Sequence, residues 1–78
     1  MYIIYSKEGC INCQRAKALL IAKGIEFEMK MAGVDYDVDV LRGLGVRQLP
    51  YIEEVPYEGG SFKGRVVGGL EELKAELF

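Results

Sequence analysis

The chain opens with Tyr2-Ile3-Ile4-Tyr5, β-branched or aromatic at every position, and crosses a short turn into Gln14-Arg15-Ala16-Lys17-Ala18-Leu19-Leu20, a run of good helix formers. A strand apolar on both faces has to be covered on both, which makes it an interior strand of a sheet. The helix is expected from about Ile11 to Lys23, closing at Gly24, a residue suited to the left-handed position that ends helices. Ile25-Glu26-Phe27-Glu28-Met29 then alternates apolar and acidic, as a half-exposed strand does. Strand, helix and strand in that order imply parallel pairing through a right-handed crossover.

The rest of the chain repeats the theme with shorter pieces. Lys30 to Tyr36 reads as a loop with Gly33, and Asp37 to Leu44 as a short helix with acidic residues in its first turn. Val46 to Pro50 leads into a strand at Tyr51-Ile52-Glu53-Glu54-Val55. The turn-rich segment 56–64 reads as a long hairpin connection to Arg65-Val66-Val67. Leu70, Leu73 and Leu77 share one face of a final helix that follows Gly68-Gly69. The order β-α-β-α-β-β-α is met most simply by an α/β fold: a four-stranded mixed sheet flanked by helices.

Cys10-Ile11-Asn12-Cys13 lies where the first strand hands over to the first helix. A C-x-x-C pair in that context is a redox arrangement. At a helix N-terminus the first thiol meets unpaired N–H groups and the positive end of the helix dipole, both of which favour the thiolate. The second cysteine falls on nearly the same face one turn on, placed to attack a mixed disulfide formed on the first. Cys10 is therefore the expected nucleophile and Cys13 the resolving thiol. A closed zinc site wants four ligands, and the chain has no further cysteine and no histidine. Two ordinary core cysteines would need no Lys-Glu-Gly turn before them.

Composition narrows the class further. The 78 residues leave room for one domain, 1–78, and half of them are hydrophobic, so a core is feasible without staples. Two cysteines so close in sequence cannot build a structural disulfide framework, which suits a reducing cytoplasm. A net charge of −2 offers no footprint for nucleic acid or an anionic membrane. No apolar stretch approaches a membrane span and no secretory leader precedes the first strand. The expectation is a complete, soluble, cytoplasmic monomer that needs no bound metal or organic cofactor.

Three separated motifs carry a family resemblance: Lys7-x-x-Cys10-x-x-Cys13, the Arg47-Gln48-Leu49-Pro50 turn, and Gly68-Gly69 before an acidic helix start. Together they resemble the glutaredoxins, of the thioredoxin fold class, over nearly the whole length. The resemblance implies a thiol–disulfide oxidoreductase with glutathione as co-substrate. It implies a cis Leu49–Pro50 bond that turns the Leu49 backbone toward Cys10 to pair with an extended substrate. It also implies a glutathione groove formed by Lys7, Asn12, Arg47, Gln48, Leu49, Pro50, Gly68, Gly69, Leu70, Glu71 and Glu72. In it Lys7 and Arg47 would meet the glycine carboxylate, the N–H groups after Gly68-Gly69 would meet the γ-glutamyl carboxylate, and Glu71 or Glu72 would meet the ammonium.

Two departures qualify that picture. Glutaredoxins carry Pro-Tyr between the cysteines, and this chain has Ile11-Asn12, which removes an aromatic wall of the groove. The Arg47-Pro50 run also resembles small glutaredoxin-like redoxins that serve ribonucleotide reductase and are recharged by thioredoxin reductase, although those lack the glycine pair retained here. The first expectation is a glutathione-dependent dithiol glutaredoxin reducing protein disulfides and glutathione mixed disulfides. The alternative is the redoxin recharged by thioredoxin reductase. A third reading, an iron–sulfur carrier bridging two chains through Cys10 and glutathione, is disfavoured by Cys13.

Overall fold

A computed structural model describes residues 1–46, 48–55 and 64–78. The expected hairpin connection 56–64 and the groove residue Arg47 therefore lie, apart from Gly64, outside the described residues. The elements run β1 (Tyr2–Ser6), α1 (Ile11–Ala22), β2 (Phe27–Met31), α2 (Val38–Gly43), β3 (Tyr51–Glu54), β4 (Arg65–Gly68) and α3 (Leu70–Leu77). The four strands form one sheet in the order β2-β1-β3-β4, β1 parallel to β2 and antiparallel to β3, and β3 antiparallel to β4. This is the expected mixed sheet, with β1 inside it.

β2 begins two residues later than the alternation suggests and runs on to Met31. The reason lies in how α1 ends. Gly24 N–H donates to Ile21 O and Ile25 N–H to Leu20 O, both at 3.0 Å, the double bond that closes a helix through a left-handed residue. Ile25 is thereby folded back onto the core beside Leu20 and leaves the strand to start at Phe27. α2 ends the same way, with Gly45 at φ +87°, Gly45 N–H on Arg42 O and Val46 N–H on Leu41 O. A residue with a Cβ would be strained at that φ, so glycine suits the position that ends α2.

The main core lies on one face of the sheet. Tyr2 and Ile4 of β1 and Ile52 of β3 pack with Ala16 and Leu20 of α1 and Leu70 and Leu73 of α3. Alternation along β1 sends Ile3 and Tyr5 to the other face, and Ile3, Val55 and Leu41 of α2 are buried outside that cluster. Leu73 has no exposed surface; truncating such a residue to alanine costs about 2–5 kcal/mol. α3 is held at its far end by Arg65, which donates to Glu54 of β3 at 2.7 Å and also bonds Glu76.

Candidate active site

Cys10 sits at the N-cap of α1 in extended conformation, after a turn closed by Cys10 N–H on Lys7 O at 3.3 Å. Its sulfur accepts from the backbone N–H of Cys13 at 3.1 Å. A capping sulfur that already takes a backbone hydrogen bond at a helix N-terminus is stabilised as the thiolate when the pair is reduced. Cys13 is fully buried with Ala16 and Leu20 on the inner side of α1, while Cys10 is half-exposed. The two are joined as a disulfide, the oxidised form of the pair, with Cα atoms 5.2 Å apart. The half-exposed Cys10 is thus the more accessible sulfur of the pair and Cys13 the buried one.

The thiols are positioned by residues that periodicity does not reveal. Ser6, the last residue of β1, is fully buried, and its hydroxyl donates to Lys30 O at 3.1 Å. Its carbonyl accepts from Ala32 N–H at 2.9 Å and from the Tyr36 hydroxyl at 2.8 Å. The Tyr36 ring meets Tyr5 edge-on at 5.3 Å, and Tyr5 also packs against Tyr51 at 5.8 Å, the residue after Pro50. Burial, with Glu53 adding to it, pushes the Tyr5 phenol up to about 12. The strand end that delivers the Lys7–Cys10 turn is therefore pinned from the loop before α2. Tyrosines in a loop carry no sequence signal for this, because the partner backbone lies in another element.

The Leu49–Pro50 peptide bond is cis. Pro50 O would lie 3.6 Å from a Cβ built on Gly69, so the turn before β3 and the entry to α3 sit side by side. A register shift in the β3–β4 pairing between Ile52 and Glu53 sets Gly68 opposite Ile52. At Gly68 (φ +118°) a Cβ would come within 2.8 Å of Glu72 Oε1, so only glycine fits. Glu72 itself accepts from Gly69 N–H at 2.8 Å, closing the first turn of α3 with its own carboxylate. Gly69 has no side chain to return the bond.

Two hollows meet at Asn12, between the two cysteines in sequence. One, of about 700 Å³, is lined by Lys7 and Asn12, by Val38, Leu41 and Arg42 of the α2 segment, and by Val46, Gln48 and Leu49. The other, of about 470 Å³, shares Asn12, Gln48 and Leu49 and runs along Pro50, Gly68, Gly69, Leu70, Glu71 and Glu72. Every expected groove residue within the described region lines one or both. They do not form one uniform pocket: Lys7 borders only the first hollow, whereas the glycine pair and the two glutamates border only the second. Leu70 is buried in the core cluster, so its side chain is committed to packing. Among the described residues no cluster of three His, Cys, Asp or Glu side chains could hold a metal, and no helix is long and apolar enough to cross a membrane.

Residues 2–53 match the family model for glutaredoxin. The chain belongs to the glutaredoxin family. It is 38% identical over 68 residues to the glutaredoxin-like protein NrdH of Salmonella typhimurium, covering 86% of this chain and 84% of that one. Among solved structures it resembles a glutaredoxin from Brucella melitensis, 32% identical with a TM-score of 0.66, over 95% of this chain and 74% of the other. A buckwheat glutaredoxin–glutathione complex shares the fold at TM-score 0.69 and 22% identity, over 96% of this chain and 66% of that one. The family and the C-x-x-C pair make this glutaredoxin-like protein a thiol–disulfide oxidoreductase with a redox-active dithiol and a thioredoxin-like fold.

Proposed function

We propose that this glutaredoxin-like protein is a redoxin of the NrdH kind, recharged by thioredoxin reductase and passing electrons to ribonucleotide reductase in the cytoplasm. The observation that carries this is the likeness to NrdH across most of both chains. It replaces the first expectation, a glutathione-dependent dithiol glutaredoxin. The α3 entry supports the same choice. Glu72 already occupies the Gly69 N–H, one of the donors at the start of α3 that a γ-glutamyl carboxylate could use. Ile11-Asn12 between the cysteines supplies no aromatic wall for a tripeptide.

In the reduced protein the Cys10 thiolate attacks one sulfur of a substrate disulfide. The Cys10–substrate bond forms as the substrate S–S bond breaks, and the departing thiolate takes a proton from solvent. Cys13 loses its proton to solvent and attacks Cys10 sulfur, releasing the second substrate thiolate and leaving the Cys10–Cys13 disulfide. Two electrons have passed to the substrate, and a dithiol reductase restores the pair by the reverse exchange. The test is to follow NADPH oxidation when the oxidised protein is offered either thioredoxin reductase or glutathione with glutathione reductase. Faster turnover with thioredoxin reductase, coupled to ribonucleotide reductase activity, is expected. Efficient recharge by glutathione alone would return the assignment to a glutathione-dependent glutaredoxin.

A further inference from the structure

The two hollows that share Asn12 carry opposite charge. Among the described residues, the charged side chains bordering the α2-side hollow are Lys7 and Arg42, and those bordering the α3-side hollow are Glu71 and Glu72. Asn12, which stands between the two cysteines in sequence, borders both, as do Gln48 and Leu49. The hollows are thus two arms of one trough, running from the active-site loop toward α2 on one side and α3 on the other. Among the described residues, none of the four charges is consumed by a strong internal pair. Arg42 meets Asp39 at 3.0 Å with both side chains more than 70% exposed, and Glu71 lies 3.8 Å from Lys74. Exposed pairs of this kind contribute little and are readily exchanged for a new partner.

We infer that this trough selects its substrate by charge polarity. Its occupant is an extended segment of a partner protein whose reacting cysteine has an acidic side chain on one flank and a basic side chain on the other. The acidic flank lies against Lys7 and Arg42, and the basic flank against Glu71 and Glu72. A segment charged alike on both flanks gains at one arm what it loses at the other, because like charges brought together oppose binding. Selection of this kind acts on encounter and orientation of the disulfide over Cys10, before exchange begins. It rests on the disulfide-exchange activity of the site and not on which reductase recharges it.

The test uses four synthetic peptides of equal length, each a symmetrical disulfide dimer: acidic then basic about the cysteine, basic then acidic, acidic on both flanks, and basic on both. Chemically reduced protein in excess is mixed with each, and release of peptide thiol is followed chromatographically in a single turnover. One polarised peptide is expected to outrun both uniform ones by about threefold or more at low salt, with the advantage shrinking as ionic strength rises. Arg42→Glu combined with Glu71→Lys leaves one charge of each sign on either arm and is expected to abolish the preference. The readout is a ratio between peptides on one protein, so a variant of lower overall activity still reports. Should the double variant not fold, the salt dependence of the unaltered protein with the four peptides decides. Equal rates for all four, a uniform peptide as the best substrate, or a ranking untouched by the charge exchange would overturn the inference. Recharge by thioredoxin reductase is read in a separate assay, so failure of either result leaves the other standing.

Discussion

Two helix N-termini converge on the same trough, and they treat their unpaired donors in opposite ways. At α1 the Cys13 N–H is capped by the sulfur of Cys10, the half-exposed member of the redox-active pair. At α3 the Gly69 N–H is capped by the carboxylate of Glu72, a group with no chemistry to perform. Both ends offer N–H groups and a positive dipole to an anion. One places a redox-active sulfur on a donor; the other fills its Gly69 N–H from within the chain. A helix N-terminus is therefore a catalytic or an inert element according to which side chain reaches it first.

Removing the cap at the α1 end has the largest expected effect. Cys10→Ser is expected to abolish exchange with every disulfide, because no other thiol stands at a helix N-terminus. Cys13→Ser is expected to retain exchange with small mixed disulfides, where an external thiol can reach Cys10, and to lose most activity on protein disulfides. Paired assays on a glutathionylated peptide and on a disulfide protein such as insulin separate the two. Loss of both activities in Cys13→Ser would mean that an external thiol has no access to the Cys10 sulfur. Alkylation of each single serine variant against pH sharpens the point: the remaining Cys10 should react with a midpoint below that of the remaining Cys13.

The α3 end should respond in the opposite sense. Glu72→Ala frees Gly69 N–H for an external carboxylate and removes one negative charge, so turnover with glutathione mixed disulfides should rise about tenfold, the scale of one charge-assisted hydrogen bond. Glu72→Gln, which keeps an acceptor on the cap, should give a smaller gain. Unchanged glutathione kinetics in both variants would show that the self-capped turn is not what limits glutathione. The same alanine variant should lose about 0.5–2 kcal/mol of stability as the cap is lost.

Gly68 tests how tightly that cap is built. Gly68→Ala should destabilise the fold by about 1–3 kcal/mol, from the positive φ and the approach to Glu72. Urea titration of the single variants and of Gly68→Ala with Glu72→Ala forms a cycle. The double variant should lose less than the sum of the two, because the Cβ no longer meets the carboxylate. Strict additivity would remove Glu72 from the account of Gly68.

The smallest effect belongs to the tyrosines that prop the α1 side. Burial raises the Tyr5 phenol from 10.0 to about 12 in the folded chain. The folded state then holds a proton that the unfolded chain releases, so stability should be unaffected below pH 10 and fall as pH rises from 10 toward 12. Tyr5→Phe should flatten that decline in thermal unfolding measured across the same range. An equal slope in both proteins would place the alkaline loss elsewhere.

Features governed by neighbours in sequence are legible in the residues themselves. The apolar character of Tyr2–Tyr5 implies an interior strand, the alternation after Gly24 a parallel partner, and the C-x-x-C spacing a cysteine pair at a strand–helix junction. These follow from backbone periodicity and helix-end electrostatics, which act within a few residues. Tertiary structure alone decided what the trough contains. Tyr36 reaches back 30 residues to Ser6, and Arg42 joins Lys7 on one hollow only because α2 folds beside the active-site turn. Glu72 shows the boundary most sharply. Its place in the first turn of a helix is legible as a favourable charge near a dipole. Its place on the trough depends on Gly68-Gly69 lying beside the Pro50 turn, and that contact comes from strand register and not from any local pattern.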